Sequence, residues 1–380
     1  MSEKRRVLYF CFQPIQRKPP CVTEACQLVD MGCEVVMVTS GCDETTAAIL
    51  GRKGIPVELL PVIKSRNVVW QKARNLLMYE RRWPEIKKKY WNDNTVLWIG
   101  TEQAAIKQWR YVKGLRPNIV NALEFYEEDW YQEGMKALLP DIDILTGCEP
   151  HRIDYMVDWW KLSKRPHLLR NKPYAHPRTK NMKGTTVQTR QAIAAMEGKK
   201  TLVYQGGIVG DRDLSVLANI LAHADSDLWL VLSGPADEGA VDRLKSIYGR
   251  TIYLGNIPAP LHLEITSHAH ICIAFYKDNC INNRYCAPNK IYEYAGFGIP
   301  MLCNNIPGLT TTVGEAQAGI CVDFADSAAV LEAIAAMDSR YDEYCRRSSA
   351  FYDATDNTNA MEAIVEEAFS LLSCGRSAAP

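Results

Sequence analysis

The side chains best suited to chemistry lie in one run, Ala287-Pro288-Asn289-Lys290-Ile291-Tyr292-Glu293-Tyr294-Ala295-Gly296-Phe297-Gly298-Ile299-Pro300. Pro288 suits the first turn of a helix, where a missing N–H costs little. The unbonded amides at such a helix start can cradle a diphosphate, because they stand at the positive end of the aligned peptide dipoles. Lys290 adds a cation beside them. Glu293, one turn further on, is placed to accept both hydroxyls of a ribose. The plain structural reading of the same run is a well-capped helix that ends at Gly296.

A second run, Tyr204-Gln205-Gly206-Gly207-Ile208-Val209-Gly210-Asp211-Arg212, leaves an apolar segment and enters a helix. Its glycines let backbone N–H groups approach an anion, and Arg212 can neutralise a phosphate. Glycine turns after strands are common, so this run alone specifies little. Glu124-Phe125-Tyr126-Glu127-Glu128-Asp129 crowds four carboxylates into six residues, which repel one another unless solvated or used. Glu124, nearest the preceding strand, is the candidate to orient or deprotonate an acceptor hydroxyl. Glu127, Glu128 and Asp129 read as caps at the acidic start of a helix. The loop from Phe12 to Pro20 lacks the glycines that a dinucleotide pyrophosphate needs, which argues against nicotinamide or flavin chemistry. His268, His270 and Cys272 alternate as ligands on one strand face would, but a fourth ligand is missing and no metal is expected.

These groups need elements to hold them. Short apolar, β-branched runs at 7–12, 34–39, 57–62, 95–100, 118–123 and 142–147 alternate with helical segments at 22–31 and 67–90. A second series follows at 201–206, 228–233, 251–255, 270–275, 299–303 and 319–322. Runs of this kind predict parallel sheets covered on both faces, an α/β class in which ligands bind beyond the carboxyl ends of the strands. A chain of 380 residues suits two such domains. Their expected bounds are 1–175 and 176–350, with 351–380 as a terminal helix that either closes the second domain or crosses back to the first. The polar stretch 171–198 reads as a linker and an irregular entry into the second domain.

Composition narrows the class further. Hydrophobic residues make up 47% and charged ones 23%, the profile of a globular chain, and no run is long enough to cross a membrane. The charged start Met1–Arg6 leads straight into a short strand without the apolar core of a secretory signal, so a cytoplasmic protein is expected. Thirteen cysteines include no C-x-x-C pair and fall mostly in apolar strands or helices, Cys11, Cys33, Cys272 and Cys303 among them, as buried thiols in a reducing compartment would. The 44 basic and 44 acidic residues balance but are unevenly spread. Residues 64–91 interleave nine cations, Lys64 and Arg66 among them, with Trp70, Tyr79, Trp83, Tyr90 and Trp91. That stretch is either a surface for the inner, anionic face of a membrane or a solvated helix whose aromatics pack inward. No nucleic-acid-binding module accompanies the charge, so no nucleic acid is expected as a partner.

The string P-N-K-I-Y-E-Y-A-G-F-G-I-P-M-L from Pro288 resembles the signature of GT-B glycosyltransferases of the group 1 (family 4) type. The likeness extends to G-G-I-V-G-D-R-D-L at 206–214, S-G-P at 233–235, Y-L-G-N-I at 253–257, L-L-R-N-K-P at 168–173 and L-E-F-Y-E at 123–127. The last is similar to the acceptor-side segment of transferases that assemble bacterial polysaccharides. The resemblance implies two Rossmann-like domains facing across a cleft, with acceptor held by the first and nucleotide diphosphate sugar by the second. It implies a hexosyl transfer with retention of configuration, no obligatory cofactor, a UDP-sugar as favoured co-substrate, and a saccharide or lipid-linked saccharide acceptor. Catalytic roles then fall to Glu124, Arg212 and Lys290, and donor binding to Gly207, Arg212, Gly234, Asn283, Tyr285, Pro288, Asn289, Lys290 and Glu293. One departure stands out. The family places a second glutamate eight positions before Glu293, where this chain has Tyr285, so Asn282, Asn283 and Arg284 become candidates to contact the sugar. Competing readings on the same architecture are a nucleotide-sugar epimerase and a non-catalytic nucleotide-sugar-binding subunit.

Overall fold

The computed structural model describes residues 4–60, 62 and 68–377. The chain forms two compact units, one of Met1–Arg170 with Asp356–Pro380 and the other of Asn171–Thr355. The first is built on a seven-stranded sheet of β1 (Arg6–Cys11), β2 (Glu34–Thr39), β3 (Val57–Leu59), β4 (Thr95–Ile99), β5 (Asn118–Ala122), β6 (Ile144–Gly147) and β7 (His167–Leu168). Their order is β3-β2-β1-β4-β5-β6-β7, with every pair parallel. The second has β8 (Thr201–Gln205), β9 (Trp229–Ser233), β10 (Thr251–Tyr253), β11 (Ile271–Ala274), β12 (Met301–Asn304) and β13 (Gly319–Val322), in the order β10-β9-β8-β11-β12-β13 and again all parallel. Both units are Rossmann-like α/β folds.

Strand chemistry explains the layering. Successive residues of a strand face opposite ways, and a sheet buried on both faces needs apolar residues on each. In β1, Val7, Tyr9 and Cys11 enter one cluster, while Leu8 and Phe10 enter another with Tyr79, Trp83 and Ile86 of the helix Val68–Tyr90. In β8, Val203 packs with Ile291 and Tyr294 of the helix Asn289–Gly296, and Leu202 and Tyr204 pack with Leu217 and Leu221 of the helix Ser215–His223. One polar network is threaded through the first unit. Glu24 is fully buried, accepting from Tyr9 Oη at 2.6 Å and Asn121 Nδ2 at 2.7 Å, and Asn121 accepts from Thr146 Oγ1 at 2.7 Å. Burial pushes the Glu24 carboxyl up to about 8, so it bridges these partners largely protonated.

Several elements differ from expectation. The polar stretch 171–198 is not wholly irregular: it contains a helix, Val187–Met196, opened by a capping box of Thr186 and Thr189. Its buried positions are Thr189, Ala192 and Met196, and two small or polar side chains among three leave no visible apolar stripe. Cys33 is buried in the turn before β2 rather than inside an element. Lys64, Arg66 and Asn67 lie outside the described residues, and the helix there runs from Val68. The terminal helix, Thr358–Ser377, buries Met361, Ile364, Val365, Ala368 and Phe369 in the same cluster as Val7 and Tyr9. The end of the chain thus completes one face of the first sheet.

Truncating one of these side chains tests that role. Ile364→Ala should destabilise the first unit by about 2–5 kcal/mol, lowering hydrogen-exchange protection in β1 and β4. Unchanged protection there would show that the helix does not complete the core.

Candidate functional site

In each sheet the strand order turns back beside the first strand of the unit, between β1 and β4 and between β8 and β11. Ligands of open parallel sheets bind outside the carboxyl ends at such a point. In the second unit, β8 leads into Gly206 and Gly207, β9 into Gly234, and β11 into Tyr276. Gly206 donates its N–H to Ser233 O at 2.8 Å and Gly234 to Gly255 O at 3.0 Å, so the loops lie backbone against backbone. Both glycines have φ of 138°, and a Cβ at Gly234 would overlap the carbonyl of Gly206. Only glycine fits there.

Lys290 extends from the first turn of Asn289–Gly296 to this loop pair. Its Nζ lies 4.3 Å from the Tyr204 ring centroid and 5.2 Å from that of Tyr276, and a Cβ on Gly206 would stand 2.9 Å from it. The side chain is 7% exposed, and Nζ makes no hydrogen bond. Arg212, at the end of a 3-10 turn, holds its guanidinium 4.9 Å from the Tyr276 centroid. Burial, reinforced by Arg212, pulls the Lys290 amine down to about 7 against the pull of Glu293. The expected standing cation is therefore part neutral at pH 7. Pro288 is the residue before the helix rather than in its first turn, with φ −75° and ψ 135°. Asn289 and Lys290 supply the first outward amides.

Glu293 is held just as tightly. Its Oε2 accepts from Gln205 Nε2 at 2.9 Å and lies 3.3 Å from His262 Nε2, while Thr266 Oγ1 donates to Gln205 Oε1. Burial pushes the carboxyl up, but His262, His176 and Lys290 outweigh it, and the group stays below its ordinary value. It is a fixed carboxylate. His176 packs edge-on to Phe297 with ring centroids 4.4 Å apart, and its own burial lowers it to about 4. Gly296 makes room for that imidazole, which a Cβ would strike.

The structure thus gathers Gly207, Arg212 and Lys290 with Tyr204 and Tyr276, and places Gly234 and Glu293 beside the same loops. Gly207 O accepts from Tyr204 Oη at 3.0 Å. Asn283 bonds within its own loop, donating to Asn279 Oδ1 at 2.7 Å, and exposed Arg284 donates to Asp278 at 2.8 Å. Tyr285 is half-buried directly after that turn. Tyr204 and Gln205 belong to the glycine run 204–212, whose spacing gives neither of them a role, while Tyr276, His176, His262 and Thr266 sit at spacings that carry no signal.

In the first unit Glu124 is half-buried after β5 and lies 3.5 Å from Arg152 Nη1, which also donates to Leu123 O at 2.9 Å. Glu102, unnoticed in the sequence, is buried in the first turn of the helix Glu102–Val112 and accepts the Leu123 N–H at 2.9 Å. Burial, with the Glu124 charge beside it, raises Glu102 to about 7. Two carboxylates and an arginine therefore stand at one strand end. Glu127, Glu128 and Asp129 are exposed. Glu128 occupies the N-cap of Asp129–Leu138, yet its side chain makes no capping bond, and only Asp129 sits in the first turn. His268 meets Met182 O at 2.8 Å and His270 meets Asp338 at 2.7 Å, both before β11. Among the described residues no group of three His, Cys, Asp or Glu could hold a metal ion, and no helix is long and apolar enough to cross a membrane.

No protein-family model matches the chain, and no curated protein matches it in sequence. Solved structures do. HepE from Anabaena, in complex with UDP and glucose, superposes with a TM-score of 0.71 at 12% identity, covering 96% of this chain and 99% of that one. The fold is the GT-B fold. WaaG, a glycosyltransferase involved in lipopolysaccharide biosynthesis, shares this GT-B architecture with a TM-score of 0.61 at 13% identity, over 95% of this chain and 99% of that one. Trehalose 6-phosphate synthase from Burkholderia multivorans superposes with a TM-score of 0.69 at 10% identity, over 99% and 98% of the two chains.

The buried amine makes a signed prediction. An unfolded lysine titrates near 10.4, so between about 7 and 10.4 the unfolded chain binds more protons and stability rises with pH. Lys290→Met should therefore raise the melting temperature of the ligand-free protein, by more at pH 6 than at pH 9. An equal gain at both would mean that Lys290 ionises as an ordinary lysine.

Proposed function

We propose that this protein is a glycosyltransferase that moves a hexosyl group from a UDP-sugar to a saccharide or lipid-linked saccharide acceptor. One observation carries the reading. Lys290 Nζ is buried without a hydrogen-bond acceptor beside the Gly206–Gly207 backbone and within reach of the same tyrosine as Arg212. A buried cation of this kind is costly unless an anion completes it. A diphosphate fits, because backbone amides, a helix start and two cations converge on one spot.

In this reading the diphosphate of the donor lies against Gly207 and Gly234, the start of Asn289–Gly296, Arg212 and Lys290. Glu293, its Oε2 already committed to Gln205 and His262, turns Oε1 to the ribose hydroxyls. As the bond from the anomeric carbon to the phosphate oxygen breaks, negative charge grows on the leaving diphosphate. The two cations stabilise that charge more than they do the ground state. Glu124 orients the acceptor hydroxyl, with Glu102 near neutrality as a partner able to share its proton. Tyr285, and Asn283 after loop rearrangement, border the sugar. Retention of configuration is the expected course, to be read from the anomeric coupling of the product. HepE was solved with UDP-glucose, which supports a uridine donor. WaaG acts in lipopolysaccharide biosynthesis, which supports a role in polysaccharide or glycoconjugate assembly. The many buried thiols of the present chain suit action in the cytoplasm.

A thermal-shift panel of nucleotide sugars tests the donor site, since a ligand of the folded state raises its stability by about 2.7 kcal/mol at 100 Kd. UDP-sugars should give the largest shifts, and a flat panel would sink the assignment. With donor alone the enzyme should leave the sugar unchanged apart from slow hydrolysis, whereas an epimerase would convert it.

Two further outcomes are expected. Lys290→Ala should lose about 1.5–3 kcal/mol of transition-state stabilisation, roughly a 10- to 150-fold fall in kcat, and full turnover at saturating donor would remove its role. Wild-type affinity for a nucleotide sugar should be flat below pH 7 and fall by up to about tenfold per pH unit above it, as binding comes to require proton uptake by Lys290. Calorimetry in buffers of different ionisation enthalpy detects that uptake.

A further inference from the structure

The helix Val68–Tyr90 presents two unlike faces. Its inner stripe of Tyr79, Trp83 and Ile86 is buried, with Trp83 edge-on to Phe10 at 5.5 Å and donating Nε1–H to Tyr111 O at 2.8 Å. The helix cannot turn about its axis without breaking these contacts. Its outer stripe follows the opposite i, i+4, i+7 path through Trp70, Arg74, Leu77, Arg81 and Lys88. On that stripe Trp70 is 67% exposed and Leu77 70%, two large apolar side chains presented at the surface.

Charge distinguishes the same face. The helix carries seven basic residues against Glu80 and Glu85. Both acids are already paired, Glu80 with Arg110 at 2.7 Å and Glu85 with Arg82 at 3.0 Å, while Glu58 takes Lys89 at 2.9 Å. On that stripe Arg74, Arg81 and Lys88 are exposed, and none has a carboxylate within ion-pair distance among the described residues. The stripe therefore begins apolar and ends basic, over roughly 27 Å at the usual helical rise.

We propose that this face docks the protein on an anionic lipid bilayer. Nucleic acid would satisfy the cations but leaves Trp70 and Leu77 uncovered. A bilayer surface takes all of them: indole at headgroup depth, Leu77 at the acyl boundary, and cations on the lipid phosphates. The helix lies flat and remains on the surface. The inference stands apart from the donor site, which belongs to the other unit.

The test is flotation of the full chain with vesicles of phosphatidylcholine, with and without phosphatidylglycerol. Wild type should float with the anionic vesicles only, and high salt should release it. Arg81→Glu/Lys88→Glu should weaken partitioning by at least about 25-fold, from about fivefold for each cation lost. Trp70→Ser/Leu77→Ser should also detach, and Trp70→Phe should abolish the quenching of tryptophan emission by brominated lipid. All variants should keep the thermal shift of the wild type with UDP-glucose, or its absence, which separates docking from folding and from the donor reading. Wild type that stays in the dense fraction with both vesicles, floats equally with neutral lipid, or is retained by RNA instead overturns the proposal. So does flotation of both double variants at the wild-type level.

Discussion

A lysine ammonium taken out of water with no hydrogen-bond acceptor is among the least comfortable groups a fold can hold, and the second unit is arranged around one. The faces of Tyr204 and Tyr276 offer Lys290 partial compensation through their ring quadrupoles. Arg212 works in the opposite sense, adding a like charge beside it. Its amine thus rests near its own titration point, and an arriving anion changes both its protonation and its surroundings. Glu293 shows the complementary case, a buried carboxyl held below its ordinary value despite its burial, chiefly by His262 beside it. The two ionisable groups lie one helical turn apart, yet their environments drive them toward different states.

That arrangement depends on close approach of main chain. Without the glycines at 206 and 234 the loops after β8 and β9 could not lie against each other, and the amine would lose its place above them. The parallel sheet then does the rest, because every loop that matters leaves a carboxyl end and so opens on one edge. In the first unit the same rule collects Glu102, Glu124 and Arg152 from three different connections. A shared topology sets two chemically unlike sites, one cationic and one of paired carboxylates.

Much of this was legible from residue order. Glu34–Thr39 and Gly319–Val322 form strands over the stretches their apolar character marked, and the remaining strands end within a few residues of theirs. The run at 288–296 announced a helix start with a cation and a carboxylate one turn apart, and both lie where loops converge. Other features were hidden for physical reasons. The helix Val187–Met196 buries threonine and alanine, so it shows no stripe. His262 and His176 reach Glu293 through tertiary packing from distant segments, and nothing in their neighbours marks them. Glu102 reads as an ordinary first-turn acid until burial beside Glu124 changes its ionisation. Position along a chain reveals what a group is, whereas its titration depends on what the fold brings up against it.

The route of the chain has a consequence for biogenesis. Residues that finish the first sheet, Met361 to Phe369, are translated only after the whole of the second unit. While the ribosome works through residues 171–355, the part of the first core that Met361 to Phe369 complete must stay bare or be shielded by a chaperone. The second unit has every residue it needs before the first core is complete, so the later-encoded lobe is free to mature first.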